Sequence, residues 1–313
     1  MLNVALIGTG KMVISDLSSL EKSKTIRLAA LCDINEEVVK ELSEKYDVPY
    51  FLDYHDIPSS DVEIDAVIIN LPHFLHCESS VFFLENGYHV LCEKPMANTV
   101  EECDRMIAAA EKSGKKLAIG HIQRFFNTTQ YVKKVYDEGT LGKLCMVSEI
   151  RTIDYFVPTR PKWFHSKKLA GGGIGMNFGA HAFDKLFTLL GPQDVEITSS
   201  VANIKNDADI EGHAQIFAKF ENGVSASITL SGYAGPIYNV IYYFEKGMIR
   251  IGGGNMVFET DGTSYAPDLS SFPDDAMLYQ LDEFVKYVND EPSIIPDGAY
   301  GRAVISAIEK AYK

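Results

Sequence analysis

Over the first 120 positions, apolar residues come in short continuous runs, and the stretches between them carry helical spacing. Runs at 3–7, 26–32, 64–70, 88–92 and 117–120 predict strands. The intervening 11–20, 36–46, 73–85 and 100–113 carry helical patterns and predict helices. Thr99, with Glu102 in the first turn beyond it, is the start signal of the last of these. Strands apolar at nearly every position and separated by helices imply a parallel sheet covered on both faces. Residues 1–120 are therefore expected to form an α/β domain built on such a sheet.

The pattern changes after residue 120. A helix is predicted at 128–137, a strand at 143–152, and a glycine-rich turn leading into a helix at 171–190. Strand patterns follow at 195–203, 213–220, 224–230, 237–244 and 248–251, with Asn222-Gly223 as a hairpin turn. No crossover helices separate them, so this second sheet is expected to be mainly antiparallel. Helices at 276–289 and 299–312 close the chain. Residues 121–313 thus read as an α+β domain whose last helices contact the first domain.

A formal net charge of −14 repels phosphate backbones, and no basic stripe with interleaved aromatics offsets it, which argues against nucleic acid as a ligand. No apolar run approaches the roughly 20 residues of a membrane span. Met1 leads directly into the first strand with no basic region before it, so no secretory signal is expected and the cytoplasm is the expected compartment. The five cysteines are widely spaced without a CxxC pair, which favours reduced thiols and no metal site.

Chemistry gathers where the predicted strands end. Gly8-Thr9-Gly10 follows the first strand and opens the first helix; Gly8 permits the tight turn, and Gly10 lets a pyrophosphate reach backbone N–H groups. Lys11 and Met12 continue that turn, and Val13 stands where the full fingerprint has Gly or Ala. Asp33 ends the second strand about 20 residues on, where a carboxylate receives the adenosine ribose. It favours NAD, with NADP not excluded. Asn70-Leu71-Pro72-His73 and Glu93-Lys94-Pro95 end later strands. A lysine there can steady a developing alkoxide, although a strand-end lysine alone is equally compatible with solvated surface. In the segment from Gly171 to Asp184, Asn177 and His181 are four apart and share a helical face, with Asp184 a further three along. A histidine so placed can take a proton from an alcohol. Trp163, between Arg160 and His165, is a candidate wall for a sugar, with a packing role as the alternative.

Taken together, the Gly8-Thr9-Gly10 turn, Pro72-His73 with His76, Glu93-Lys94-Pro95 and the glycine-rich segment ending in His181 and Asp184 carry a resemblance. The chain resembles the glucose–fructose oxidoreductase, inositol dehydrogenase and rhizopine-catabolism protein family (Gfo/Idh/MocA) over nearly its whole length. The resemblance implies a Rossmann domain followed by an α+β domain with an open sheet. It implies NAD(P)-dependent interconversion of a hydroxyl and a carbonyl on a sugar, polyol or nucleotide sugar. It also implies a homodimer or homotetramer formed through the exposed sheet. By position, Lys94 is similar to the family lysine that contacts the reacting hydroxyl, and His181 to the general acid/base. Asn177 stands where polyol dehydrogenases often have Asp, and can hydrogen-bond a hydroxyl without holding charge. Arg124, in His121-Ile122-Gln123-Arg124-Phe125, and Asp184 complete the implied substrate set with Trp163. The implied cofactor set is Gly8 to Met12, Asp33, Asn70 to His73, His76, Glu93 and Lys94. Three alternatives stay open on sequence: a dihydrodiol-type oxidoreductase, a redox-neutral glycosidase that uses NAD, and a dinucleotide-sensing regulator.

Overall fold

The continuous apolar runs become a six-stranded parallel sheet. In the computed structural model, which describes residues 1–10, 13–203 and 208–313, two compact units form. Residues 1–122 with 275–302 make the first, and 123–274 with 303–313 the second.

The first unit is built on β1 (Leu2–Ile7), β2 (Ile26–Cys32), β3 (Tyr50–Phe51), β4 (Ala66–Ile69), β5 (His89–Glu93) and β6 (Leu117–Gly120), in the order β3-β2-β1-β4-β5-β6. Every pairing is parallel. All four residues of β4 are buried, as expected of a strand with helices on both faces. Those helices are α1 (Val13–Lys22), α2 (Glu36–Tyr46), α3 (His73–Glu85) and α4 (Val100–Ser113). Thr99 caps α4 by accepting from the Glu102 N–H at 3.2 Å, while the Glu102 carboxylate reaches back to the N–H of Asn98 at 2.9 Å. The chain order reverses between β1 and β4, so the crevice outside their C-terminal ends is the natural ligand site of such a sheet.

Residues from the far end of the sequence complete this unit. Asp275 accepts from the Leu278 N–H (3.0 Å) and so caps α8 (Ala276–Val288), and it also accepts from Ser19 (3.0 Å) and Lys22 (2.8 Å) of α1. Thr25 donates to Asp282 of the same helix at 2.7 Å. Asp297 bridges to Ala118 of β6, and the division between the units falls after Arg302, within α9 (Gly298–Ala311). Sequence reading placed 121–313 in the second domain with its last helices against the first; α8 and the start of α9 group with the first unit.

The second unit is an eight-stranded mixed sheet, β14-β13-β12-β11-β7-β10-β9-β8. Its strands are β7 (Leu144–Asp154), β8 (Glu196–Ala202), β9 (His213–Lys219), β10 (Ser225–Ser231), β11 (Tyr233–Phe244), β12 (Gly247–Gly252), β13 (Asn255–Thr260) and β14 (Thr263–Tyr265). Only β7 and β10 run parallel; the other pairs are antiparallel. Burial alternates strictly along β9, so one face of the sheet is covered and the other open. Phe217, on the open face, is 58% exposed. Three helices join the sheet: α5 (Asn127–Glu138), the short α6 (Lys167–Ala170) and α7 (Ile174–Leu190). Along α7 every side chain from Ile174 to Phe187 is buried, so over this stretch the helix turns no face to solvent.

All five cysteines are free thiols and four are buried; burial pushes Cys32 up to about 12. Among the described residues, no helix is long and apolar enough to cross a membrane.

Candidate active site

In the first unit, the singled-out residues collect at the C-terminal ends of parallel strands. Gly8 follows β1 with φ +92°, and a Cβ there would stand 2.8 Å from the carbonyl oxygen of Asn70, just beyond β4. Only glycine meets both demands. A Cβ on Gly10 would meet nothing within 4 Å, which leaves the room a pyrophosphate needs beside the backbone. Asp33, just past β2, turns back to this turn. Its Oδ2 accepts from the N–H (2.6 Å) and the hydroxyl (2.9 Å) of Thr9, and its Oδ1 accepts from the N–H of Asn35 at 2.9 Å. The glycine turn and the Asp33 carboxylate are thus linked directly, and both fit a dinucleotide. Lys11 and Met12 lie outside the described residues.

Because Asp33 is negative, a 2′-phosphate placed beside it is repelled. Replacing it with serine is expected to improve NADP affinity relative to NAD by about ten- to a hundredfold, the effect of removing a like-charge contact. Titration calorimetry with both cofactors measures this; an unchanged ratio would detach Asp33 from cofactor choice.

A histidine lies between the next two strand ends. His76, fully buried on α3, has Nδ1 2.8 Å from the carbonyl oxygen of Pro95 and Nε2 2.8 Å from that of Leu71. Burial lowers its pKa and the two carbonyls partly restore it. Sequence reading put His76 among the cofactor contacts; here its ring lies between the backbone carbonyls of Leu71 and Pro95. The carboxylate of Glu93 accepts from the Lys94 N–H at 3.1 Å and lies against Gly120, where a Cβ would come within 2.9 Å of it. It is thereby turned toward the end of β6. Lys94 follows β5 directly, and its bond to Pro95 is cis. Pro72 precedes α3, and His73, the first residue of that helix, is buried with its ring 5.7 Å from that of His76.

In the second unit, α7 carries Asn177, His181 and Asp184, all buried. The His181 ring is 6.5 Å from that of Phe178, which the Arg151 guanidinium covers at 3.9 Å. Asp184 has no solvent exposure and pairs with Arg124, its Oδ1 lying 3.6 Å from Nε. The Arg124 carbonyl in turn accepts from the Gln130 side chain at 2.7 Å. Arg124 and Asp184 were both expected to touch substrate. The two are buried and pair with each other. Trp163 is half-buried, with its ring stacked 3.7 Å from that of Phe164.

Three residues that sequence reading did not single out stand close to these. The phenol of Tyr155, fully buried, has its pKa pushed up to about 12 by burial, opposed by the charge of Arg160 and a hydrogen bond with Asn177. Glu211 and Tyr312 close on the start of α7. The glycines there let the backbone pass close to these two side chains. A Cβ on Gly172 would fall 2.2 Å from the Tyr312 hydroxyl, and one on Gly173 2.0 Å from the Glu211 carbonyl oxygen.

Comparison with known proteins agrees with both units. Residues 2–121 match the oxidoreductase family with an NAD-binding Rossmann fold, and residues 129–250 match the GFO/IDH/MocA C-terminal domain. The chain is 30% identical to 1-carboxy-3-chloro-3,4-dihydroxycyclo hexa-1,5-diene dehydrogenase of Comamonas testosteroni over 74% of its own length, and spans 58% of that relative. It is 26% identical to D-glucoside 3-dehydrogenase of Escherichia coli, covering all of this chain and 95% of that one. The aldose-aldose oxidoreductase of Caulobacter crescentus superposes with a TM-score of 0.91 at 25% identity, covering 99% of this chain and 96% of that one. With an NAD-binding Rossmann domain and the matching C-terminal domain in one chain, this protein belongs to the Gfo/Idh/MocA oxidoreductase family.

Proposed function

We propose that the chain is an NAD-dependent dehydrogenase interconverting a hydroxyl and a carbonyl on a sugar, polyol or nucleotide sugar. The observation that carries this reading is a dinucleotide cradle, Gly8 to Gly10 with Asp33, in the same chain as a buried helical histidine, His181. Gly8, Thr9 and Gly10 hold the pyrophosphate, and Asp33 receives the ribose hydroxyls. Asn70 to His73, Glu93 and Lys94 border the nicotinamide end, and His76 keeps their backbone in place. When bound, the nicotinamide supplies the hydride chemistry. Lys94 donates an N–H to the reacting oxygen and stabilises its negative charge, His181 accepts the hydroxyl proton, and Asn177 hydrogen-bonds a neighbouring hydroxyl. Trp163 walls the substrate. The exposed sheet face around Phe217 joins copies of the chain as a dimer or tetramer.

Absorbance of reduced nicotinamide tests the reading. Purified protein is mixed with NAD or NADP and a panel of aldoses, glucosides, polyols and nucleotide sugars. Growth of NADH with one class is the expected result. Sugar release without NADH would replace it with redox-neutral cleavage of the glycoside, and cofactor binding without any turnover would favour a regulator. A second reading, oxidation of a cyclic non-sugar diol, draws on the dihydroxycyclohexadiene dehydrogenase among the relatives. Cyclic dihydrodiols belong in the same panel for that reason.

A further inference from the structure

We propose that Glu211 and Tyr312 are positioning residues for His181 and Asn177, acting by fixing where α7 begins. The proposal rests on the dehydrogenase reading for what His181 does, and on geometry within the second unit for how it is held.

The first N–H groups of a helix have no partner within it. At the start of α7, one residue satisfies three in succession. The Gly173 N–H donates to both carboxylate oxygens of Glu211, each at 2.8 Å, and the Gly175 N–H donates to Oε1 at 2.7 Å. Between them, the Ile174 N–H donates to the Glu211 carbonyl at 3.3 Å. Negative charge is favoured at this end of a helix. The Tyr312 hydroxyl donates to the same Oε1 at 2.6 Å and so holds the carboxylate from its other side. Burial, then the Glu211 charge, pushes the Tyr312 phenol well above its ordinary pKa, which keeps it protonated and donating. The same segment also anchors the preceding helix, since Asp209 accepts from the N–H of Lys167 at 2.5 Å.

The path from this clamp to the chemistry is short. The Asn177 N–H donates to the carbonyl of Gly173 at 3.0 Å, so the residue gripped by Glu211 opens the turn that carries Asn177. His181 lies one turn further along the same buried helix. Glycine makes the grip possible, because a Cβ on Gly175 would already stand 3.0 Å from the Glu211 carboxylate. A proton acceptor misplaced by about 1 Å loses up to about a hundredfold in rate, so a clamp that sets the helix start also sets the rate.

Glu211→Gln keeps the size and one acceptor oxygen but removes the charge, and Tyr312→Phe removes the second grip. Each is expected to lower kcat by about ten- to a hundredfold, with NAD affinity unchanged and the double variant losing little more than the worse single. A readout free of turnover is the His181 ring ¹H–¹³C cross-peak, assigned by its loss in His181→Asn. It is expected to move in both variants while those of His55 and His89, in the first unit, stay fixed. An unmoved His181 peak in folded protein overturns the proposal, as does lowered stability with kcat per folded molecule unchanged. Should Glu211→Gln fail to fold, Tyr312→Phe decides alone. A peak that moves in a protein whose wild type oxidises nothing in the panel overturns the dehydrogenase reading and leaves the positioning intact.

Discussion

Replacing His181 with asparagine is expected to lower kcat by about a hundred- to ten-thousandfold, the range for loss of a positioned general base. Asparagine fits the space of this buried residue and can hydrogen-bond a hydroxyl, yet it cannot take a proton. NAD affinity should hold within about twofold, because the proposed cradle lies on the ends of β1 and β2. Lys94→Ala is expected to cost about a hundred- to a thousandfold, as when one donor to a developing oxyanion is removed. In this variant NAD affinity is expected to weaken as well, since Lys94 borders the cofactor in the proposed site. If the two residues act on the same oxygen, the double variant loses much less than the product of the single losses. Stopped-flow measurement of NADH formation under single turnover separates this effect from product release. A histidine variant that retains most of its single-turnover rate would remove His181 from proton transfer.

The second large effect concerns stability. Lys185, beside Asp184 on α7, is 2.9 Å from Glu149 of β7, and their side chains are only 3% and 2% exposed. Lys185 also donates to Gln123 at 3.2 Å and sits 5.5 Å from the Tyr238 ring centroid. Removing either charge leaves the other desolvated. Glu149→Leu or Lys185→Met alone is expected to destabilise the second unit by about 3–5 kcal/mol. Together they remove both members of this pair, and the double variant is expected to return to within about 1 kcal/mol of wild type. The single tryptophan, Trp163, lies in the second unit, so its fluorescence during urea titration follows that unit specifically. Additive losses in the double variant would show that packing volume, not charge, sets the cost.

The sequence was most legible where neighbours along the chain carry the signal. Helices α3 and α4 and strands β2 and β6 begin and end where the apolar pattern places them. Strands β13 and β14 went unread because the Gly252-Gly253-Gly254 stretch before them reads as loop and β14 is only three residues long. Gly223 alone takes positive φ in the Asn222-Gly223 turn, which still joins β9 to β10 as the dipeptide suggests. In the candidate site, the Gly8 turn and Asp33 were visible because local spacing defines them. Glu211 was not. It lies 38 positions from Gly173 and 101 from Tyr312, and no periodicity links such residues. A glycine string permits a close approach, but the identity of the approaching side chains is a tertiary fact. The pairing of Arg124 with Asp184 is hidden for the same reason, since the two lie 60 positions apart and only the fold brings them together.

The first unit has a consequence for the order in which the chain can be built. Its α1 side is closed by Asp275 and Asp282, and its last strand by Asp297, residues translated after the whole second sheet. A nascent chain that has just emerged through residue 122 therefore holds a dinucleotide fold with one side bare. Completing it demands contacts of very long sequence separation, which form slowly. During that interval the exposed apolar flank of the half-made domain is a target for chaperones and for self-association. A shortened gene ending at 122 would make this transient exposure permanent. Fusing residues 275–302 to that fragment through a flexible linker supplies the missing flank in cis.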